Sequence, residues 1–240
     1  PAIMPHMDTT LAKLKQAIDA KRDLAIALQR DLTAVPALGP ENGGTGEKDK
    51  AHKLVEWLPR LGLPEARGYP APDPRVPALK RPNLVVTIPG AAGDRSFWIM
   101  SHLDIVPPGE RKLWTSDPYA LVVDGDRLVG RGVEDNQQGI VASVIAAAAL
   151  GELGLVPART VRLLFVADEE TGSAHGVRHV LEAAPELFTP ADCALVPDHG
   201  AADGSEIEIA EKHILWLKFV TTGRQCHAST PAKGVNAFAA

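Results

Sequence analysis

A chain of 240 residues, 45% hydrophobic and 23% charged, can bury a sizeable core and has no apolar run of bilayer-spanning length, so disordered and membrane classes are excluded. The formal net charge of -5 and scattered Lys and Arg leave no basic stripe for a phosphate backbone, which excludes a nucleic-acid partner and favours a small molecule. Cys193 and Cys226 have neither metal-like nor framework spacing; they read as small buried hydrophobes of a reduced, cytoplasmic protein.

Residues 1–9 read as an expression scar and N-terminus, because PAIMPH ahead of Met7 has no targeting pattern. From Thr10 to Leu32, Leu11, Leu14, Ile18, Leu24 and Leu28 fall at broadly helical spacing behind the cap candidates Asp8 and Thr9, which predicts one amphipathic helix. The following GPENGGTGEKDK is glycine-rich but has neither the GxxxxGK[ST] pattern nor a preceding strand, so it reads as a flexible loop. A second helix is predicted over Glu47–Leu61, then a proline-rich extended crossing of the surface from Gly68 to Pro82.

Asn83–Ile88 and Phe97–Met100 read as strands joined by a turn, and the second runs into His102 and Asp104. Side chains two apart on a strand share a face, and open α/β sheets bind ligands at the carboxyl ends of their strands. An irregular rim with Trp114, Pro118 and Tyr119 follows, then a hairpin, ALVVDGDRLVGRG, turning at Asp124-Gly125. Asp135 comes next, at a junction with an apolar helix over Asn136–Leu150. The apolar run Val161–Ala167 reads as a central parallel strand ending in Asp168, Glu169 and Glu170. After a helix over Ala174–Ala184, Cys193–Val196 ends in Pro197, Asp198 and His199. Three strands thus terminate in imidazole or carboxylate clusters, which converge if the strands share one sheet edge.

Beyond Gly204 the alternation in IEIAE and ILWLKFVTT predicts two strands around a turn, followed by GRQCHAS and a helix beginning near Lys233. A serine hydrolase would need a GxSxG elbow after a strand, and none is present. The fold expected is α/β, a mixed, largely parallel sheet with helices on both faces, plus the start of a smaller α+β domain.

SHLDIVPP, Trp114, Asp117-Pro118, GRGVEDNQQG, ADEETGS, PDHG and HASTPAKGVNA occur in the order and approximate spacing of the co-catalytic zinc peptidase and deacylase family. The chain resembles that family from about residue 10. Succinyl-diaminopimelate desuccinylase, acetylornithine deacetylase, aminoacylase and several dipeptidases and carboxypeptidases belong to it.

The resemblance implies a zinc exopeptidase-like catalytic domain over 10–204 and the beginning of a lid and dimerisation domain over 205–240. It also implies two divalent ions, zinc first, with cobalt or manganese as alternatives. Asp135 would bridge them, with His102 and Asp198 on one ion and Glu170 on the other. Asp104 would orient the His102 imidazole, and Glu169 would be the general base toward a water shared by the metals. His227 would stabilise the oxyanion in a partner subunit's site, within a homodimer formed through the lid. Asp168, His175, His179 and His199 take ordinary structural readings.

In the family a further histidine completes the second metal site beyond the equivalent of Ala240. The catalytic domain is therefore expected to be incomplete here, and this chain alone to be weak or inactive. The reaction implied is hydrolysis of an amide near a free carboxylate, in an N-acyl amino acid or short peptide. A ureido-hydrolase relative and a metal-binding, non-catalytic interaction protein are the alternatives. Retention of Glu169 argues against the last.

Overall fold

The computed structural model describes residues 5–201, 203–210, 215 and 217–239, with backbone alone for 5–8. Two compact units divide it, residues 1–199 and residues 200–240. In the first, helices α1 (Pro5–Asp19), α2 (Arg22–Thr33) and α3 (Lys48–Trp57) precede the short strands β1 (Arg67–Gly68), β2 (Ala71–Pro72) and β3 (Lys80–Arg81). Strands β4 (Leu84–Ile88) and β5 (Ala92–His102) follow, then the hairpin β6 (Val122–Asp124) and β7 (Arg127–Val129). Helix α4 (Gln138–Glu152), β8 (Arg159–Val166), α5 (Val177–Ala183) and β9 (Cys193–Leu195) complete the unit.

The main sheet has the order β1-β4-β8-β5-β9. Its β8/β5 and β5/β9 pairs are parallel and its β1/β4 and β4/β8 pairs antiparallel, so it is the mixed sheet expected, with parallel β5/β8 as its longest ladder. The two strands expected to be joined by a turn are joined but not paired: β8 lies between β4 and β5. Leu163 and Phe165 of β8 face a core shared with Leu28, Leu54 and Ile140 of α2, α3 and α4. Leu164 and Val166 face the opposite side with Trp98, Tyr69 and Val180 of α5. The period-two alternation of β8 therefore feeds two cores, which is why LLFV at 163–166 is apolar throughout.

Several local expectations are corrected. The helix predicted over Thr10–Leu32 is two helices broken at Ala20-Lys21, where the apolar rhythm lapses between Ile18 and Leu24. The first starts at Pro5, upstream of the proposed caps, and Pro1–Met4 of the supposed scar lie outside the described residues. The glycine loop is an ordered turn: Gly44 N–H donates to Gly39 O and Gly46 N–H to Leu38 O, both at 3.0 Å, and it delivers a fully buried Glu47. The proline-rich crossing is not superficial either, since Tyr69, Ala71, Asp73, Val76 and Arg81 are all buried in it. Cys193 is exposed and Cys226 half-buried, both as free thiols, so neither is the buried hydrophobe expected. Cys193 sits on β9, which among the described residues pairs on one side only.

In the second unit, the described residues of IEIAE and ILWLKFVTT form no strand; Glu211, Ile214 and Trp216 lie outside the description. Alternation makes a strand only where a neighbour takes up its backbone N–H and C=O groups, and among the described residues none does. What forms instead is one antiparallel bridge, Arg224 to Val235, and a single 3-10 turn at Pro231–Lys233 in place of the helix expected near Lys233.

Candidate metal centre

Strand register brings the site together. His102 pairs with Val166 on β8, and Glu169 lies three residues beyond Val166. Ile99 pairs with Leu195 on β9, and three residues further along the two chains come His102 and Asp198. Parallel strands in register thus end level, which places an imidazole, an acidic pair and a third carboxylate along one edge. Asp135 arrives from the turn before α4. Gly132 makes that turn at φ 80, and a Cβ there would stand 2.5 Å from Ile105 Cγ2. The Asp135–Asn136 peptide bond is cis.

His102, Asp135 and Asp198 each offer a ligand atom, and these atoms lie within 4.8 Å of one another. His102 Nε2 is 2.8 Å from Asp135 Oδ1, 3.8 Å from Asp198 Oδ2 and 3.9 Å from Glu169 Oε2. The cluster is closed on one side and open on the other: His102 is 2% exposed, Asp198 30%, Glu169 43% and Asp135 52%.

Asp104 does two things. Its backbone carbonyl accepts from His102 Nδ1 at 3.0 Å, which fixes the ring and directs Nε2 at the carboxylates. Its carboxylate, 3.5 Å from Nδ1, accepts the backbone N–H groups of Glu169 and Glu170, both at 3.1 Å. The sequence assigned Asp104 the imidazole alone; its grip on the acidic pair required the fold.

Asn136 was missed altogether, although it follows Asp135 in the same motif. Its Nδ2 donates to Asp198 Oδ1 at 2.6 Å and to Pro197 O at 3.1 Å, holding that carboxylate from behind. Asp168 is buried within a hydrogen-bonded corner with His175. His227 belongs to the second unit, where its Nδ1 is 2.8 Å from Ser229 Oγ in an exposed turn.

The electrostatics are those of a cation site. Burial works against a proton on His102, yet hydrogen bonds to Asp104 and Asp135 and the charge of Glu169 push its pKa up to about 11. Burial, then repulsion from Asp135, raises Glu170 to about 7, and burial also raises Glu169. The hydrogen bond from His102 lowers Asp135. One imidazole cannot neutralise the carboxylates of Asp104, Asp135, Glu169, Glu170 and Asp198, and a field that favours a proton on Nε2 also favours a metal cation there. Glu170 Oε1 is buried without a hydrogen-bond partner among the described residues, as a carboxylate reserved for a cation would be. The donor set, one nitrogen with several carboxylate oxygens, fits zinc, cobalt or manganese.

An α/β sheet carrying this cluster at the carboxyl ends of its strands has the placement and donor set of a metal-binding site. Residues 98–227 match the model of peptidase family M20/M25/M40, and the chain belongs to that family. An uncharacterized metallohydrolase of Methanocaldococcus jannaschii is 39% identical over 220 residues, covering 89% of this chain and 53% of the relative. Succinyl-diaminopimelate desuccinylase of Rhodospirillum centenum is 29% identical over 212 residues, covering 86% of this chain and 51% of that enzyme. The chain thus spans about half the length of the curated relatives it matches. Human carnosine dipeptidase 1 shares the fold at a TM-score of 0.62 and 22% identity, over 79% of this chain and 41% of its own. No helix among the described residues is long and apolar enough to cross a membrane.

Proposed function

We propose that the protein is a metal-dependent hydrolase that cleaves an amide bond in an N-acyl amino acid or a short peptide. The observation that carries this reading is the meeting of His102, Asp135 and Asp198 at one point, with Glu169 beside the same imidazole on the open side. His102, Asp135 and Asp198 would hold one divalent ion and Asp135 and Glu170 a second. Such ions would supply Lewis-acid chemistry toward a carbonyl oxygen and a water.

The chain's own residues supply the rest. Glu169, partly exposed and anchored through its backbone N–H, takes the proton of the attacking water on its carboxylate and returns it to the leaving amine. Burial raises its pKa, which makes it a better base than a solvated glutamate. Asp104 and Asn136 hold the acidic pair and Asp198 in place. His227 of a second copy would donate to the developing oxyanion, in a homodimer formed through the second unit. A substrate carrying a free carboxylate and a reducing, cytoplasmic setting, compatible with two free cysteines, complete the proposal.

The test is elemental analysis of bound metal together with zinc- or cobalt-dependent hydrolysis of a panel of N-acyl amino acids and dipeptides. Chelator-sensitive turnover of one class supports the reading and names the substrate. Because this chain alone is expected to be weak or inactive, the panel is run on the full-length protein as well, and metal bound there without turnover of any panel member would turn the assignment toward a binding protein.

A further inference from the structure

Behind the acidic pair lies a second cluster of charge that the proposed chemistry does not use. Arg81, at the end of β3, is fully buried. Its Nε donates to Glu47 Oε1 and Oε2 at 3.1 and 2.9 Å, and its Nη2 donates to Glu47 Oε1 as well. Its Nη1 donates to Asp168 Oδ1 at 3.2 Å. Glu47, just ahead of α3, is also fully buried, so the guanidinium ties the first helical layer to the end of β8. Desolvating a charged pair is costly, and apolar residues of similar volume stabilise a core as well or better. The pair therefore does not explain itself as packing.

Asp168 suggests what it does. It immediately precedes Glu169, and its φ of 64 is a left-handed conformation that few residues other than glycine adopt. Four donors converge on its carboxylate: Arg81 Nη1, Thr171 Oγ1, and the backbone N–H and ring Nδ1 of His175 at 2.9 and 3.0 Å. Its carbonyl accepts the Ser173 N–H at 2.6 Å. With Asp168 held in this corner, the next two backbone N–H groups both meet the Asp104 carboxylate, and the Glu169 side chain reaches His102.

We propose that Arg81 is a positioning residue for the hydrolytic site: acting through Asp168, it sets the corner from which Glu169 and Glu170 reach the His102 cluster. This rests on the reading of Glu169 as the base and Glu170 as a metal ligand. Metal affinity then depends on a guanidinium that touches neither metal nor substrate.

The test is titration of this chain with cobalt(II), followed by the metal's visible absorption, with circular dichroism and a melting curve as the check on folding. Arg81→Met alone would strand the Glu47 carboxylate in the interior. The informative variant is therefore Glu47→Gln with Arg81→Met, which removes both charges of the pair and its contact with Asp168. We expect it to fold, to bind cobalt about tenfold or more weakly, and to shift the absorption band, as is usual when groups supporting metal ligands are lost. Arg81→Lys, which keeps the charge without the fork, should fall between parent and double variant.

A folded double variant with the parent's cobalt affinity and spectrum overturns the proposal. Should the double variant not fold, Asp168→Asn carries the same expectation and the same overturning result. Glu170→Gln, titrated in parallel, separates the proposal from the reading beneath it. Unchanged cobalt binding in Glu170→Gln removes Glu170 from the ligand set, whatever Arg81 does. Weakened binding there beside unchanged binding in the Arg81 variants removes Arg81 alone.

Discussion

The two compact units hold one histidine each to which the proposed chemistry assigns a role, and the two are built in opposite ways. His102 is buried, and every contact that orients it comes from tertiary structure or a strand end: the Asp104 carbonyl, Asp135 from before α4, and Asp198 from after β9. His227 is exposed, and its described partner is Ser229, two residues away. In residues 1–199 the acids are held by their neighbours before any ligand arrives. In residues 200–240, Ile207, Ile209, Phe219 and Phe238 are all exposed, and the polar geometry is local. Preorganisation needs a core to brace against, and only the first unit shows one among the described residues.

The largest expected effect that would sharpen this contrast is at the base. Glu169→Gln should lower turnover by about 10²–10⁴-fold while bound metal, measured by elemental analysis, stays at the parent level. Unchanged turnover would remove Glu169 from the mechanism. Next comes the core beneath the site. Phe165 is fully buried between β8 and the helical layer, and Phe165→Ala should cost about 3–5 kcal/mol in urea unfolding.

Asn136→Ala deletes the hydrogen bond behind Asp198 and should weaken zinc or cobalt binding by about 10–100-fold, read by chelator competition. An unaltered affinity would mean that Asp198 needs no such support.

Lys50 gives a pH-dependent prediction. It is fully buried, its Nζ has no hydrogen-bond partner among the described residues, and burial lowers its pKa to about 7, with Asp104 and Glu47 opposing. The unfolded chain keeps that proton up to about pH 10.5, so over this window it binds more protons than the folded chain. The lysine's contribution to stability therefore rises with pH between the two values and is least favourable below about 7. Lys50→Met should be more stable than the parent by about 1–3 kcal/mol at neutral pH, and the gap should close toward pH 10 in denaturant titrations. A gap that widens with pH would reverse the assignment. At the small end, Phe219 is 84% exposed, and Phe219→Ala should change stability by no more than about 0.5 kcal/mol. A loss comparable to that of Phe165→Ala would show that the second unit has a core of its own.

The meeting of His102, Asp135 and Asp198 was foreshadowed by signals that are local. His102 and Asp104 sit two apart at a strand end, Asp135 follows GRG, and Glu169-Glu170 and Asp198 each close an apolar run. Parallel strands in register carry such ends to one edge, which brings His102, Glu169 and Asp198 together once those strands pair, while Asp135 comes from the turn before α4. The apolar helix after Asp135 was legible for the same reason: α4 is buried along most of its length.

Other features were out of reach. That β8 inserts between β4 and β5 depends on pairing between segments far apart in the chain, and periodicity says nothing about which strands pair. The break in the first helix and the ordered glycine turn depend on what packs against them. The supports of the site were invisible for a related reason. Arg81 lies 87 residues from Asp168, and Asn136 lies 62 from Asp198. An arginine in a proline-rich stretch reads as a solvated charge until the fold buries it. The sequence by itself determined which atoms could bind a metal, since that is a property of side-chain chemistry and strand ends. Only the tertiary structure decided what holds those atoms still, because hydrogen bonds and ion pairs of that kind join residues whose proximity the chain order does not encode.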